Sequence, residues 1–235
     1  MSRGGAFLVA IDGPAGAGKS TVSRRVAERL GFAMVDTGAI YRTVAWAAVR
    51  DGIAFDDDAG LAGLLGRIRI EFRPRPGGGQ LVFLDGADVS AAIRTPEISR
   101  AASSVSARQV VRDGLLELQR RLARGAGKGA VLEGRDIGTV VFPDAEAKFF
   151  VTARPDVRAA RRHAELSARG DAITLAEVLA DQNQRDKDDM ERAIAPLRPA
   201  DDAVVVDTSD LSMDEVVDRI VGEVESRLAS GTLRG

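Results

Sequence analysis

Short apolar runs alternate with helical stripes along most of this chain. Phe7–Ile11 is an unbroken apolar run that meets glycine, the pattern of a buried strand. Lys19–Leu30 then sets Val22, Val26, Ala27 and Leu30 at helical spacing, and Gly31 ends the stripe. Ala33–Val35 predicts a second short strand running into "DTGAIYR", and Tyr41–Val49 returns to the helical period. A strand–loop–helix–strand order implies parallel strands with helices on the faces of the sheet. Ala130–Gly138, Ala147–Ala153 and Ala203–Ser209 add further core strands, separated by helices over 155–169 and 174–195. Asp214–Leu228 closes the chain as an amphipathic helix. One region departs from this rhythm. Ile68–Pro74 and Gln80–Gly86 alternate apolar and polar residues around "RPGGG", which predicts an antiparallel hairpin inside an otherwise α/β chain. Residues 64–103 are therefore read as an insertion. No internal repeat, low-complexity tract or long linker interrupts the pattern.

Composition narrows the function. The length of 235 residues suits one domain carrying small insertions, and the 45% hydrophobic content supplies a sizeable core. A net charge of −2 argues against a general nucleic-acid or membrane-surface binder. Without cysteine there is no disulfide framework and no thiolate chemistry. His163 alone builds neither a zinc site nor a Ser-His-Asp relay. No apolar run approaches the ~20 residues of a membrane span, and no signal-peptide pattern opens the chain, so a soluble cytoplasmic protein is expected. Of 33 basic residues only four are lysine: Lys19, Lys128, Lys148 and Lys187. A lysine therefore stands out against the background, and a lone arginine does not.

Lys19 stands out most. Gly13-Pro14-Ala15-Gly16-Ala17-Gly18-Lys19-Ser20 matches G-x-x-x-x-G-K-[ST] without a departure, directly after a buried strand and before a helix. Glycines let the backbone wrap so that its N–H groups converge on phosphate oxygens, and the helix adds its positive end. Lys19 would reach the β- and γ-phosphates of a nucleoside triphosphate, and Ser20 would meet Mg²⁺. Thr21 follows at once, so the choice of hydroxyl stays open between the two. A GTPase would carry Asn-Lys-x-Asp and a transporter ATPase Leu-Ser-Gly-Gly-Gln; the chain contains neither. A small kinase or a triphosphate-dependent switch remains.

Three later blocks decide between these. "DTGAIYR" (Asp36–Arg42), "EGRDIGTVVFPDA" (Glu133–Ala145) and "RDKDDMERAIAPL" (Arg185–Leu197), together with the phosphate loop, resemble the bacterial cytidylate kinase family along essentially the whole chain. The resemblance implies a P-loop nucleoside monophosphate kinase fold: a parallel-sheet core over about 1–63 and 104–235, a monophosphate-binding insertion over about 64–103, and a mobile lid over about 155–172. It implies transfer of the γ-phosphate of ATP to CMP or dCMP, with Mg²⁺.

Chemistry agrees with that expectation. Phosphoryl transfer to an acceptor that is already an anion asks for positioning and positive charge, not for a strong base. Arg42 and Arg135 each follow a strand end, where a sheet of this kind gathers its ligands, and the resemblance assigns both to the acceptor phosphate. Asp136 would hold that pair or meet the nucleoside. Arg185, Asp189 and Arg192 are implied near the acceptor, the first two towards the sugar, and i, i+4 spacing puts Arg185 and Asp189 on one helix face. Thr37 and Tyr41 belong to the same acceptor set; Thr37 stands where relatives carry serine. Ser103 and Arg112, in "AASSVSARQVVR", match base-reading positions, although serine runs usually form loops or caps. Arg158, Arg161 and Arg162 cluster on a predicted lid helix and would cover the ATP phosphates, with His163 beside them on the helix surface. Glu133 stands where aspartate is expected, with consequences for Mg²⁺ or water. The alternatives are a kinase for another acceptor (AMP, UMP or shikimate) and a nucleotide-binding switch, which needs no second anion site. The absence of an exposed apolar stripe or heptad repeat points to a monomer.

Overall fold

The computed structural model describes residues 6–75 and 79–232. They form two compact units, one built from residues up to Val35 and from Leu122 onwards, the other from Asp36–Arg121.

The first unit is a five-stranded sheet flanked by helices. Its strands are β1 (Phe7–Asp12), β2 (Ala33–Asp36), and, after the hairpin strands β3 (Ile70–Pro74), β4 (Gln80–Leu84) and β5 (Ala87–Asp88) of the second unit, β6 (Gly129–Glu133), β7 (Ala147–Thr152) and β8 (Val204–Asp207), in the order β2-β6-β1-β7-β8. β1 runs parallel to β6 and to β7, with Val9 opposite both Val131 and Ala147, and β7 runs parallel to β8. Helix α1 (Lys19–Leu30) packs Val22, Val26 and Ala27 against Val9, Ile11, Phe149 and Val151. The C-terminal helix, Met213–Thr232, adds Val217, Ile220, Val221 and Val224 to the same core. Strand order reverses beside β1, so ligands in a sheet of this kind gather beyond its carboxyl end. There the chain turns at Gly13, whose φ of 146° and whose approach to β7 exclude a side chain; an added Cβ would lie 1.9 Å from the Val151 carbonyl oxygen.

β6 ends at Glu133, five residues short of the strand expected over Ala130–Gly138. The Gly134 N–H still reaches the Ile11 carbonyl at 3.0 Å. Beyond it, the carboxylate of Asp12 accepts from the N–H groups of Ile137 and Gly138 at 2.9 and 2.8 Å. A side chain thus replaces the strand ladder as acceptor, and the chain leaves the sheet in a π-helical turn, Ile137–Val141.

In the second unit, α2 (Thr37–Arg50) starts directly after β2, its N-terminus capped by Asp36, which accepts from the Ala39 N–H. α3 (Asp58–Arg67) is capped by Asp57. β3 and β4 form the expected antiparallel hairpin, with Phe72 opposite Val82; β5 extends it. The turn residues 76–78 lie outside the described residues. α4 (Pro96–Ser106), capped by Thr95, packs on α2, and α5 (Gln109–Arg124) follows after two residues. The serine run expected as loop or cap is thus helical: Ala101, Ala102 and Val105 give α4 a buried apolar face, which outweighs the weak helix preference of serine. The hairpin expected as an insertion over 64–103 sits within this larger unit of helices.

Back in the first unit, α6 (Pro155–Ser167) and α7 (Leu175–Glu191) form a helical hairpin around Ala159, Leu166 and Val178. A Thr174–Glu177 capping box starts α7. α7 stops at Glu191 rather than near 195, because Arg192 takes an extended ψ of 138° and donates from Nε to the Ala195 carbonyl at 2.6 Å. The C-terminal helix, α8 hereafter, is the last element.

Candidate active site

The phosphate loop occupies Gly13–Ser20 between β1 and α1, with positive φ at Gly13, Gly16 and Gly18 (146°, 75° and 85°). Pro14, Ala15 and Ala17 are buried with it. Lys19 is buried and donates from Nζ to the Pro14 carbonyl at 2.6 Å. Burial pushes its ammonium down to about 7, and the charge of Arg135 pushes the same way, against Glu133, Asp12 and Asp189. Ser20 donates from Oγ to Glu133 Oε1 at 2.8 Å, so Ser20 is the hydroxyl that faces the carboxylate at the end of β6. Thr21 is exposed. Asp12, beneath the loop, has its carboxyl pushed up to about 6 by burial, with the charge of Asp136 adding to it and the two backbone N–H donors and Lys19 working against it.

A second cluster of charges stands in the same unit. Arg135, on the loop after β6, donates from Nε to Asp189 Oδ2 of α7 at 3.0 Å. Arg192 Nη1 lies 3.7 Å from the other oxygen of Asp189, and Arg192 Nη2 lies 3.9 Å from Asp136 Oδ1. Asp189 therefore sits between two guanidiniums. Arg185, one turn before Asp189, is half-buried; loss of solvent and the nearby charge of Arg135 hold it below the ordinary arginine range, and Arg162 adds to the repulsion. Lys19, Arg135, Arg185 and Arg162 thus form a chain of cations, each felt by the next. Glu133, Asp189 and Glu165 lie among them, and against burial the carboxylates of Asp189, Glu133 and Asp186 hold Arg135 above the ordinary arginine range.

Within the second unit, Arg42 lies on α2, as the helical period over Tyr41–Val49 predicts; the loop expected between strand and helix is absent, since no residue separates β2 from α2. Its guanidinium folds back over the helix N-terminus and pairs with Asp36 at 3.0 Å. Thr37 and Tyr41 are buried beside it in sequence. Arg112 is buried on α5, donates to the Ser106 carbonyl at 3.2 Å and stands 5.9 Å from the Tyr41 ring centre. Ser103 is half-buried one turn before Ser106, whose hydroxyl donates to the Ser103 carbonyl. Arg112, Tyr41 and the end of α4 are thereby brought together.

The family model for cytidylate kinase matches residues 9–226. The chain belongs to the cytidylate kinase family. A cytidylate kinase of Geobacter sulfurreducens is 53% identical over 94% of this chain and 94% of its own length. One from Desulfitobacterium hafniense is 46% identical over 96% of each. Among solved structures, an uncharacterised protein from Eubacterium ventriosum shares the fold at 12% identity, with a TM-score of 0.51 over 94% of this chain and 99% of its own.

Three arginines of this cytidylate kinase family member were expected to cover ATP phosphates from the lid, and they differ in their commitments. Arg158 is turned into the protein. It donates from Nε to the Ala153 carbonyl and from Nη1 to the Ala15 carbonyl, both at 2.9 Å, and its Nη2 lies 2.6 Å from Asp186 Oδ2. Its guanidinium is buried and committed to three partners within the protein. Arg161 is half committed, donating to the hydroxyl and the carbonyl of Thr208 at 2.9 and 2.7 Å. Arg162 pairs with Glu165, three residues on, at 3.0 Å. His163 is held by the Ile173 carbonyl at 3.0 Å. Asp12, Asp186 and Gln182 were not among the residues singled out from sequence. Asp12 carried one usable signal: a charged residue directly ending a buried strand needs partners. Asp186 and Gln182, inside a polar helix, carried none.

Proposed function

We propose that this chain performs its reaction, transfer of the γ-phosphate of ATP to CMP or dCMP to give ADP and CDP or dCDP, with the ATP phosphates on the Gly13–Thr21 loop. The observation that carries the reading is the row Lys19, Arg135, Arg185 and Arg162, four cations each within electrostatic reach of the next. It starts on the phosphate loop and is interleaved with the carboxylates of Glu133, Asp189 and Glu165. An oxygen of the acceptor phosphate attacks the γ-phosphorus, the bond to the bridging β-oxygen breaks, and ADP leaves. Charge spreads over the equatorial oxygens of the transferred group, and fixed cations there lower the barrier without reorganising. Lys19 is assigned to the β- and γ-phosphates. Arg42 and Arg135 are assigned to the acceptor phosphate, a task suited to planar, two-pronged donors. Asp136 and Asp189 hold the arginines Arg135 and Arg192 in place, and Arg185 with Asp189 takes the sugar. Arg112 and Ser103 read the base, and Thr37 and Tyr41 line the acceptor's place. Residues 155–172 act as the lid, with Arg161 and Arg162 brought over the ATP phosphates.

Mg²⁺ takes one or two protein oxygens and completes its octahedron with phosphate and water. The Ser20 hydroxyl and the Glu133 carboxylate, 2.8 Å apart and both hard oxygen donors, fit that demand. When bound, the ion neutralises charge on the β- and γ-oxygens. Ser20 would hold it directly, and Glu133 would hold it or one of its waters.

No helix among the described residues is long and apolar enough to cross a membrane. We assign the enzyme to the cytoplasm as a monomer acting on free nucleotides, without nucleic acid. A coupled assay of ADP release tests the whole reading. Turnover should appear with CMP and dCMP, remain far lower with UMP and AMP, and be negligible without an acceptor. Equal ADP release with and without CMP would overturn it in favour of a switch.

A further inference from the structure

The outer wall of the phosphate loop rests on the α6–α7 hairpin through three side chains. Arg158 bonds the Ala15 carbonyl and ties it to the end of β7 through Ala153. Asp186 of α7 grips the far side of the same guanidinium at 2.6 Å. Gln182, one turn earlier and buried, donates weakly to the Arg158 carbonyl at 3.4 Å. Its amide fills the space beside Gly16, where an added Cβ would come within 2.4 Å of Nε2.

A trans peptide points its C=O and its N–H in opposite directions. Holding the Ala15 carbonyl from outside therefore aims the Gly16 N–H away from Arg158. A phosphate loop works only when its N–H groups converge inward, so each outward carbonyl needs a partner on the other side. We infer that Arg158, Asp186 and Gln182 are positioning residues that set the shape of the phosphate loop from behind, Arg158 acting on ATP through the Ala15 backbone rather than by touching a phosphate. Guanidinium suits this task because its rigid fork meets acceptors in three directions. Asp186 also lies one residue after Arg185 and three before Asp189, so α7 carries the strut for the donor loop and the residues assigned to the acceptor at neighbouring positions. The inference rests on the reading of Gly13–Thr21 as the seat of the ATP phosphates.

Two variants separate positioning from direct contact. Asp186→Asn removes a negative charge near a polyanion site. If Arg158 touched phosphate, freeing it from Asp186 would leave ATP binding unchanged or tighter. Under the inference, ATP binds about three- to tenfold more weakly, and the amides of residues 15–19 exchange hydrogen faster in the ligand-free protein. Arg158→Lys keeps the charge but cannot span three acceptors, so it should lose as much ATP affinity as Arg158→Met; direct contact predicts that lysine retains most of it. Asparagine still offers Arg158 an oxygen, so Asp186→Asn remains testable if Arg158→Met fails to fold. Unchanged or tighter ATP binding with unchanged exchange in Asp186→Asn would overturn the inference. Lys19→Met serves as the control: if it binds ATP like the parent, the phosphate-loop reading fails, whereas its loss beside a normal Asp186→Asn condemns the strut alone.

Discussion

Binding of ATP should draw a proton from solution onto Lys19. In the ligand-free protein this ammonium is buried and faces Arg135, and it titrates near about 7 instead of 10.5. Triphosphate oxygens placed against it oppose both influences and favour the charged form. With a pKa of about 7, only about a tenth of the ligand-free protein carries the charge at pH 8, so ATP binding takes up about 0.9 proton there. At pH 7 the uptake from Lys19 falls to about one half, and at pH 6 to about a tenth. The choice of pH 8 also removes the nucleotide's own contribution, because a terminal phosphate with its second ionisation near about 6 is then fully charged. Isothermal titration with Mg-ATP in Pipes, Hepes and Tris at pH 8 gives the number directly, as the slope of observed heat against buffer ionisation heat. Lys19→Arg supplies the comparison, since a guanidinium stays charged throughout, and its slope should be near zero. An uptake below about 0.2 in the parent, or the same uptake in Lys19→Arg, would show that Lys19 is already charged before ATP arrives and would refute the reasoning.

Lys19→Met should abolish phosphoryl transfer while the ligand-free protein melts no lower than the parent at pH 7. Because the folded amine titrates near about 7 and the unfolded one near 10.5, this residue makes stability rise between those values, and its cost is complete below pH 7. Asp12 carries the opposite slope: a carboxyl raised to about 6 from 3.8 stabilises fully below 3.8 and loses that contribution, on the order of 3 kcal/mol, as pH rises through 6. Melting curves of Asp12→Asn should lack this part of the decline between about pH 4 and pH 6; a parallel decline would contradict it. Gly13→Ala should yield no folded protein, since its Cβ meets the Val151 carbonyl oxygen at 1.9 Å, whereas Gly31→Ala, with open space around it, should cost only about 1 kcal/mol in urea unfolding. Arg112→Met should lower kcat/KM for CMP strongly and narrow the CMP/UMP ratio, leaving the KM for ATP near normal. The reason is that an obligate donor suits N3 and O2 of cytosine and leaves the N3–H of uracil unpaired, at ~1–3 kcal/mol for each mismatch.

The elements that sequence made legible are those whose local preference and tertiary environment agree. β1 and α1 come out almost residue for residue, because an apolar run, three glycines and a C-terminal Gly31 with φ of 65° all specify the same geometry. Less visible was α3, "DAGLAGLLGR", where three glycines mask a helix held by the burial of Leu61 and Leu64. The end of β6 could not be read, because the acceptor that draws the chain out of the sheet, Asp12, lies 125 residues away from Ile137. Position on a motif also says little about where an arginine points. Arg158 and Arg162 share a helix and a spacing that suggests one role, yet one is buried among carbonyls and a carboxylate and the other pairs at the edge. Phosphate-loop glycines are legible because backbone shape dictates residue type; the direction of a long side chain depends on neighbours that only the fold supplies.

Asp12 works as a ruler. Its two oxygens span from the strand that opens into the phosphate loop to the turn immediately after Arg135, through backbone N–H groups at both contacts. The interval between the donor's loop and that arginine is thus written in main chain and one short side chain with few rotamers, not in long flexible arms. Thermal agitation that reorients surface arginines leaves such an interval unchanged. A misplacement of about 1 Å is enough to slow such a reaction a hundredfold, and under the roles proposed for the loop and Arg135 the distance between them is kept by the parts of the protein that can stretch least.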